Sequence, residues 1–317
     1  MKNSNNFKKG DNNIFKFRNI LLKIKMIDLH IHSKYSFDGS DELSKILKEA
    51  ENLKLSYISI TDHNNTDAYD ELEKMNIKEF YSGKIIPGIE INSKAAGVPI
   101  EILGYNFDYK KMNENMKKIM ISPEERTKVE FERLVENCKA YGIKLDDDIV
   151  EKFDYSEFAS GYVHRNLKKY EENKGKLNER SWESSRDFYR DYMSNPDTPL
   201  FVKADDLVPD LETAINSVLD AGGIVFIPHI YEYRDNTPKV LECLLNTKNI
   251  SGFECYYTTF TKEQHDYMIN LCNEKNYYIS GGSDYHGERK PDTFLGKGHG
   301  NLNIPEDIVI KWGKPIF

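Results

Sequence analysis

Cysteine is scarce in this 317-residue chain: Cys138, Cys243, Cys255 and Cys272 are the four, and no CxxC spacing links them. A disulfide framework or a cysteine-ligated zinc site is therefore not expected, and the thiols read as reduced and mostly buried. No apolar run approaches the roughly 18 residues of a membrane span, and no apolar segment followed by small residues marks a secretory leader, so a cytoplasmic protein is expected. Internal repeats and long low-complexity tracts are missing as well. Positive charge is in deficit, with 44 Lys and Arg against 52 Asp and Glu and a net charge of −8. What basic charge there is lies unevenly: residues 1–25 carry seven basic side chains against Asp11, a local +6 that leaves −14 for the rest. A body that acidic tracks nucleic-acid backbone poorly. It admits anionic substrates only where a local cation, such as bound metal, focuses the field. The segment 1–25, Asn-rich and followed by Met26 at the head of the first clear strand, is expected to be a poorly ordered extension rather than an RNA-binding arm.

What is present suffices for a core: 39% of residues are apolar, in a chain long enough for one large domain or two ordinary ones. Short apolar runs alternate with helical patterns. Met26 to His32 alternates Ile27, Leu29 and Ile31 with Asp28, His30 and His32, the signature of a strand. Ser40 is placed to cap a helix carrying Leu43, Ile46, Leu47, Ala50 and Leu53. Further strands are expected at Tyr57 to Thr61, Lys84 to Ile91, Pro99 to Leu103, Gly223 to Ile227, Gly252 to Tyr256 and Tyr277 to Ser280. Helices fall around residues 210–220, 238–246 and 261–275. This alternation implies a parallel sheet, and seven strands favour a TIM-like α/β barrel built from residues 26–109 and 211–317. Residues 110–210 lack strand alternation. They open with a capped helix start at Ser122-Pro123-Glu124-Glu125 and read as a helical insertion over one end of the barrel.

The eight histidines are placed informatively. An HxH pair arises by chance about 0.2 times in such a chain, so His30 and His32 alone say little. Nearly every expected strand, however, ends in a metal-ligand type: His30 and His32, Asp62 and His63, Glu90, His229, Glu254, and Asp284 with His286. In a parallel barrel those ends converge on one mouth. Imidazoles and carboxylates gathered there bind Zn, Mn or Fe, and bridging carboxylates suit a cluster of two or three ions. Asp62 is expected to orient a ligating histidine rather than to ligate, and Glu254 divides evenly between that role and a structural acceptor. His265 and His299 are expected to be merely solvated or hydrogen-bonded. The Tyr256-Tyr257 pair favours core packing over a base-stacking platform.

The segments DLHIHSKYSFDG (Asp28 to Gly39), ITDHN (Ile60 to Asn64), IPGIEI (Ile86 to Ile91) and GGSDYHG (Gly281 to Gly287) resemble, in order, the motifs of the PHP (polymerase and histidinol phosphatase) family. The resemblance runs from Met26 to about Gly300. The helical insertion and the stretches Phe188 to Val202, Ala221 to His229 and Gly252 to Tyr256 are most similar to its branch of nucleotide phosphoesterases and 5′ to 3′ exoribonucleases. The resemblance implies a distorted (β/α)7 barrel, a trinuclear metal site and hydrolysis of phosphate esters of nucleotides or short oligonucleotides by a metal-activated hydroxide. It assigns His30, His32, Glu90 and Asp284 to one ion, Glu90 and His229 to a second, and Asp38, His63 and His286 to a third. Where the family usually has a histidine this chain has Glu101, an oxygen donor that either shifts the second site toward Mn or Fe or weakens it. Where the branch reads Arg-Pro-His, the chain has Tyr162-Val163-His164-Arg165, so the expected aids to phosphate are His164 and Arg165.

The implied partner is a small phosphorylated substrate, a nucleotide or short RNA, with neither a membrane nor an obligate protein partner. A histidinol-phosphate or other small-molecule phosphatase would share the cluster without needing the insertion. An amidohydrolase would show a lysine or an extra His-Asp arrangement. A metal-stabilised scaffold without turnover is the rival from another class, and the filled ligand positions count against it.

Overall fold

The computed structural model describes residues 25–155, 157–204 and 206–312, so the basic segment 1–24 lies outside the described residues. Eight described strands, interleaved with helices, form two sheets in a mixed α/β fold. The first holds β1 (Met26–Ile31), β2 (Leu55–Ile60) and β3 (Lys84–Ile85) in parallel. The second runs in the order β4 (Gly88–Ala95), β5 (Val98–Tyr105), β6 (Ile224–Ile227), β7 (Gly252–Tyr257) and β8 (Tyr278–Gly282). Here the expectation of parallel pairing fails in part, because β4–β5 and β5–β6 are antiparallel and only β6–β7–β8 run parallel.

The segment expected as one strand, Lys84 to Ile91, is two strands in two sheets. Pro87 has no N–H to give a ladder, and the chain changes sheet across it. The sheets form no continuous barrel ladder; they meet at seams made by isolated parallel bridges, Ile31 with Tyr285 and His63 with Glu90. At the first seam, His32 N–H donates to Tyr285 O and Asp284 N–H to His30 O.

Alternation in the second sheet sorts its side chains. Ile89, Ile91, Ile100, Ile102, Val225, Ile227, Phe253 and Cys255 face a core shared with the helices α8 (Leu211–Asp220), α9 (Thr237–Leu245) and α10 (Lys262–Lys275). On the other face Leu103, Tyr105, Ile224 and Phe226 join Ile27 and Leu29 of β1, sealed by Trp312. The Trp312 ring stacks on Tyr105 with centroids 5.3 Å apart, and its Nε1–H donates to Ile279 O. Glu90, Glu101 and Glu254 occupy alternate positions to the helix-facing residues of their strands, which sends three carboxylates toward the first sheet.

The flanking helices α1 (Leu43–Leu53), α2 (Asp67–Lys74) and α3 (Tyr109–Ile119) follow amphipathic spacing, and α1 buries Leu43, Ile46, Leu47 and Ala50. Ser40 does not cap α1: Glu42 occupies the cap position, and Ser40 Oγ instead donates to His286 O. Ser122 does cap α4 (Pro123–Ala140), accepting from Glu125 N–H. With α5 (Ala159–Leu167), α6 (Glu179–Glu183) and α7 (Ser185–Phe188), α4 encloses a core of its own that includes Phe131, Leu134, Val163, Trp182 and Phe188. The short helix α11 (Asp307–Ile310) buries Ile308 and Val309 beside Trp312.

Candidate metal centre

The nine ligand positions expected from the sequence fall into three overlapping groups whose donor atoms lie within 4.8 Å of one another. They are His30, His32, Glu90 and Asp284; Glu90, Glu101 and His229; and His32, Asp38, His63 and His286. Ligands about 2.0–2.2 Å from one ion lie up to ~4.4 Å apart, so donors grouped within 4.8 Å need close only slightly to share an ion. Glu90 and His32 each belong to two groups, so the three form one continuous centre.

Local structure explains the convergence. His32, His63, His229 and Asp284 follow the C-terminal ends of β1, β2, β6 and β8 within three residues. Asp284 (φ 57°) and His229 (φ 24°) hold left-handed backbone conformations that cost about 1–3 kcal/mol each, a strain typical of functional sites. Gly282 lets β8 approach β1, because a Cβ there would stand 2.2 Å from His30 Cβ.

The donors are buried and held from behind. Glu254, fully buried, lies 3.1 Å from His30 Nδ1 and accepts from His229 N–H at 2.9 Å. A carboxylate can only accept, so Nδ1 of His30 carries the proton and Nε2 faces the centre, 3.1 Å from Glu90 Oε2. Glu254 thus serves both as orienter and as structural acceptor. Asp62 differs from expectation: it takes Ser33 N–H at 2.6 Å and Ser33 Oγ–H at 2.7 Å, fixing the residue after His32 rather than an imidazole.

Three participants were not expected at the centre from the sequence. Ser36 Oγ donates to Asp38 Oδ1 at 2.6 Å and accepts from His63 N–H at 3.3 Å. Tyr257, buried at the end of β7, donates its hydroxyl to Asp284 Oδ2 at 2.8 Å, and Lys290 reaches the same oxygen at 2.6 Å. Lys290 sits four residues after His286, the one trace it leaves in the sequence.

The electrostatics are those of a site made for cations. Burial alone would lower His30, but Glu90, Glu254 and Asp284 outweigh it and hold the imidazole well above its ordinary value. Burial likewise opposes, and Glu90 with nearby carboxylates overcomes, in His63 and His229, each raised to about 9. Glu90 and Asp284 stay well below the carboxylate range despite burial, because His30 and its neighbours face them. Glu101 is raised by burial and by Glu90. Burial and His32 push His286 down.

The fit to metal rests on His32. Its Nε2 is buried and makes no hydrogen bond, though Glu90 Oε2 is 3.1 Å away and Asp284 Oδ1 3.2 Å away. A buried ring nitrogen without a hydrogen bond, beside two carboxylate oxygens at this spacing, has the surroundings of a metal ligand.

His164 and Arg165 bond to other partners. His164 Nε2 donates to the carbonyls of Ser181 at 2.9 Å and Trp182 at 3.0 Å, pinning α5 to α6, and burial lowers its pKa. The Arg165 guanidinium is paired with Glu157. None of these partners belongs to the centre. Tyr256 is half-buried, its ring edge-on to His265 at 4.6 Å, and His299 is exposed.

An α/β scaffold carrying a cluster of histidines and carboxylates able to hold metal defines a metal-dependent hydrolase, and comparison with known proteins narrows this to a phosphoesterase. The PHP domain family model matches residues 28–195, and the chain belongs to that family. The matched residues stop short of the Gly300 suggested by the motif order, and so short of His229, Asp284 and His286. A protein of Haemophilus influenzae named 5'-3' exoribonuclease is 27% identical over 292 residues, 92% of this chain and 99% of that one. A phosphoribosyl 1,2-cyclic phosphate 1,2-diphosphodiesterase of Eggerthella lenta is 24% identical over 82% of this chain and 94% of that one. In fold, the chain is similar to a Bifidobacterium adolescentis protein described as a metal-dependent phosphoesterase, with a TM-score of 0.63, 21% identity, and 90% and 95% of the two chains covered.

Proposed function

We propose that this protein hydrolyses phosphate esters of nucleotides or short oligonucleotides. The observation that carries the reading is the single continuous centre formed by the three donor groups. The near full-length similarity to the Haemophilus influenzae exoribonuclease favours a nucleotide over histidinol phosphate. Two or three divalent ions are the proposed cofactors, held by His30, His32, Glu90 and Asp284, by Glu90, Glu101 and His229, and by Asp38, His63 and His286. The oxygen-rich second group favours Mn or Fe over Zn. Bound ions would supply Lewis-acid charge to the phosphate oxygens and lower the pKa of water.

The chain's own groups orient that chemistry. Glu254 keeps the His30 proton on Nδ1, and Tyr257 and Lys290 hold one oxygen of Asp284 so that the other faces the imidazoles. Lys290, rather than His164 or Arg165, is the cation proposed to meet the substrate phosphate. Its side chain is 44% exposed, and it is the sole Lys or Arg paired with a carboxylate of the centre among the described residues. Asp284 raises its pKa against the opposing effect of burial, so the amine is charged.

The two sheets are proposed to work as a distorted (β/α)7 barrel, supported by the bridges at both seams. Residues 26–109 and 211–317 would form it, and 110–210 an insertion over the site. The cytoplasm is the proposed compartment; no helix among the described residues is long and apolar enough to cross a membrane.

A substrate panel tests the reading: a 3′,5′-bisphosphonucleotide, short 5′-phosphorylated RNA, histidinol phosphate and an aryl phosphate, with metal content measured in parallel. Preference for either of the first two supports the nucleotide assignment. Preference for the last two overturns it, and a chain that takes up no metal from supplemented medium overturns the mechanism.

A further inference from the structure

The loop between β1 and α1 puts an aromatic ring where the chemistry does not ask for one. Phe37 lies between Ser36 and Asp38, both engaged in the centre, yet is itself 64% exposed. Its ring stacks on the imidazole of His63, with centroids 4.9 Å apart and planes at 24°. Leaving a phenylalanine in water forgoes about 1.5–3 kcal/mol of burial. The hydrogen bonds of Ser36 and Asp38 do not involve the Phe37 side chain.

The loop that presents the ring is rigid. Ser36 N–H donates to Ser33 O at 3.0 Å, Gly39 N–H to Ser36 O at 3.1 Å, and Lys34 N–H to Asp41 O at 2.9 Å. A Cβ on Gly39 would stand 2.0 Å from Ser33 O, so the backbone is packed tightly against itself there. One face of the Phe37 ring is taken by His63, and the exposure leaves the other open to solvent beside the donors His63 and Asp38. The Tyr256-Tyr257 pair cannot serve the same end, because Tyr257 is buried with its hydroxyl on Asp284 and Tyr256 is half-covered.

We infer that Phe37 is the stacking platform for the nucleobase next to the scissile phosphate, and so a specificity residue for base-bearing substrates. The inference rests on the nucleotide reading above. A flat ring offers its π-face to any base, so the platform would select nucleotides over base-free phosphates without preferring one base strongly.

The test compares the wild type with Phe37→Ala and Phe37→Trp on a 3′,5′-bisphosphonucleotide and on ribose 5-phosphate, with metal content measured for each. Phe37→Ala is expected to raise KM for the nucleotide roughly 5- to 150-fold, the equivalent of one stacked base, while leaving kcat, metal content and the KM for ribose 5-phosphate unchanged. Phe37→Trp is expected to restore nucleotide affinity. Calorimetric titration of a nucleoside monophosphate should show the same loss in Phe37→Ala and the same recovery. If the wild type turns over nucleotides and Phe37→Ala binds them as tightly, the platform is refuted and the nucleotide reading stands. If the wild type does not act on nucleotides, that reading itself fails. A parallel loss on both substrates would instead mark Phe37 as a support for His63 and overturn the inference.

Discussion

Replacing Glu254 with glutamine tests whether the groups behind the centre set its affinity for metal. Two N–H donors converge on this carboxylate, His30 Nδ1 at 3.1 Å on one oxygen and His229 N at 2.9 Å on the other. A glutamine amide accepts through one oxygen and turns its NH2 toward the remaining donor. With the side chain fully buried, no water relieves the clash. One buried donor left unsatisfied costs about 1–3 kcal/mol, which agrees with the roughly 10- to 100-fold loss of affinity seen when residues behind metal ligands are changed. Part of the loss is offset at neutral pH, because Glu254 also raises the His30 pKa, and its removal makes the competing proton easier to displace. Glu254→Gln is therefore expected to weaken Mn binding about 10- to 100-fold, most clearly at alkaline pH where imidazolium no longer competes. Competition titration against a chelator, with circular dichroism to confirm folding, measures it. A folded variant with wild-type affinity at every pH would refute the reasoning.

Other outcomes follow from the same geometry. In the metal-free chain, His63 and His229 titrate near 9 against an ordinary 6.5, so their stabilising contribution is complete below 6.5 and lost as pH rises through 9. Metal loading at neutral pH must displace those protons, and calorimetry in buffers of different ionisation heat should show their release; heats independent of the buffer would contradict it. Gly282→Ala places a Cβ 2.2 Å from His30 Cβ and 2.4 Å from His30 N. It should destabilise the protein by about 1–3 kcal/mol in denaturant and reduce metal retention, whereas wild-type values of both would show that the strand can yield. Lys290→Ala should raise KM for a phosphate ester about 10- to 150-fold, the loss of a charged hydrogen bond, with Lys290→Arg recovering part of it; an unchanged KM removes Lys290 from the phosphate site.

His30, His32, His63, Glu90, His229, Asp284 and His286 were legible because each sits at or just after an expected strand, where alternation separates core from site, whereas Asp38 and Glu101 were reached only through the resemblance to the family's motifs. Chain order then placed Glu90, His229 and Asp284 at three different strands without any knowledge of pairing. Pairing was the part that stayed hidden. Nothing in Lys84 to Ile91 marks a change of sheet except Pro87, and the antiparallel course of β5 depends on the tight turn at Ala96 and Gly97, both at positive φ. Ser40 and Asp62 were misplaced for one reason: a side chain with several possible acceptors or donors chooses by tertiary proximity, and Ser33 and His286 O lay nearer than the expected partners. Lys290 and Tyr257 meet at Asp284 from separate loops, a coincidence no local pattern encodes.

The two seams give the centre a mechanical meaning. The group of His30, His32, Glu90 and Asp284 and the group of His32, Asp38, His63 and His286 each draw donors from both halves of the fold, whereas Glu90, Glu101 and His229 all belong to one sheet. Ions in the first two would therefore act as rivets across joints where the strand ladders give way to isolated bridges. An ion in the third would add nothing to that closure. Chelation should then proceed in two regimes, a loss that leaves the thermal transition in place and a loss that lowers it. The cell's supply of divalent metal would govern how long this protein survives as well as how fast it works.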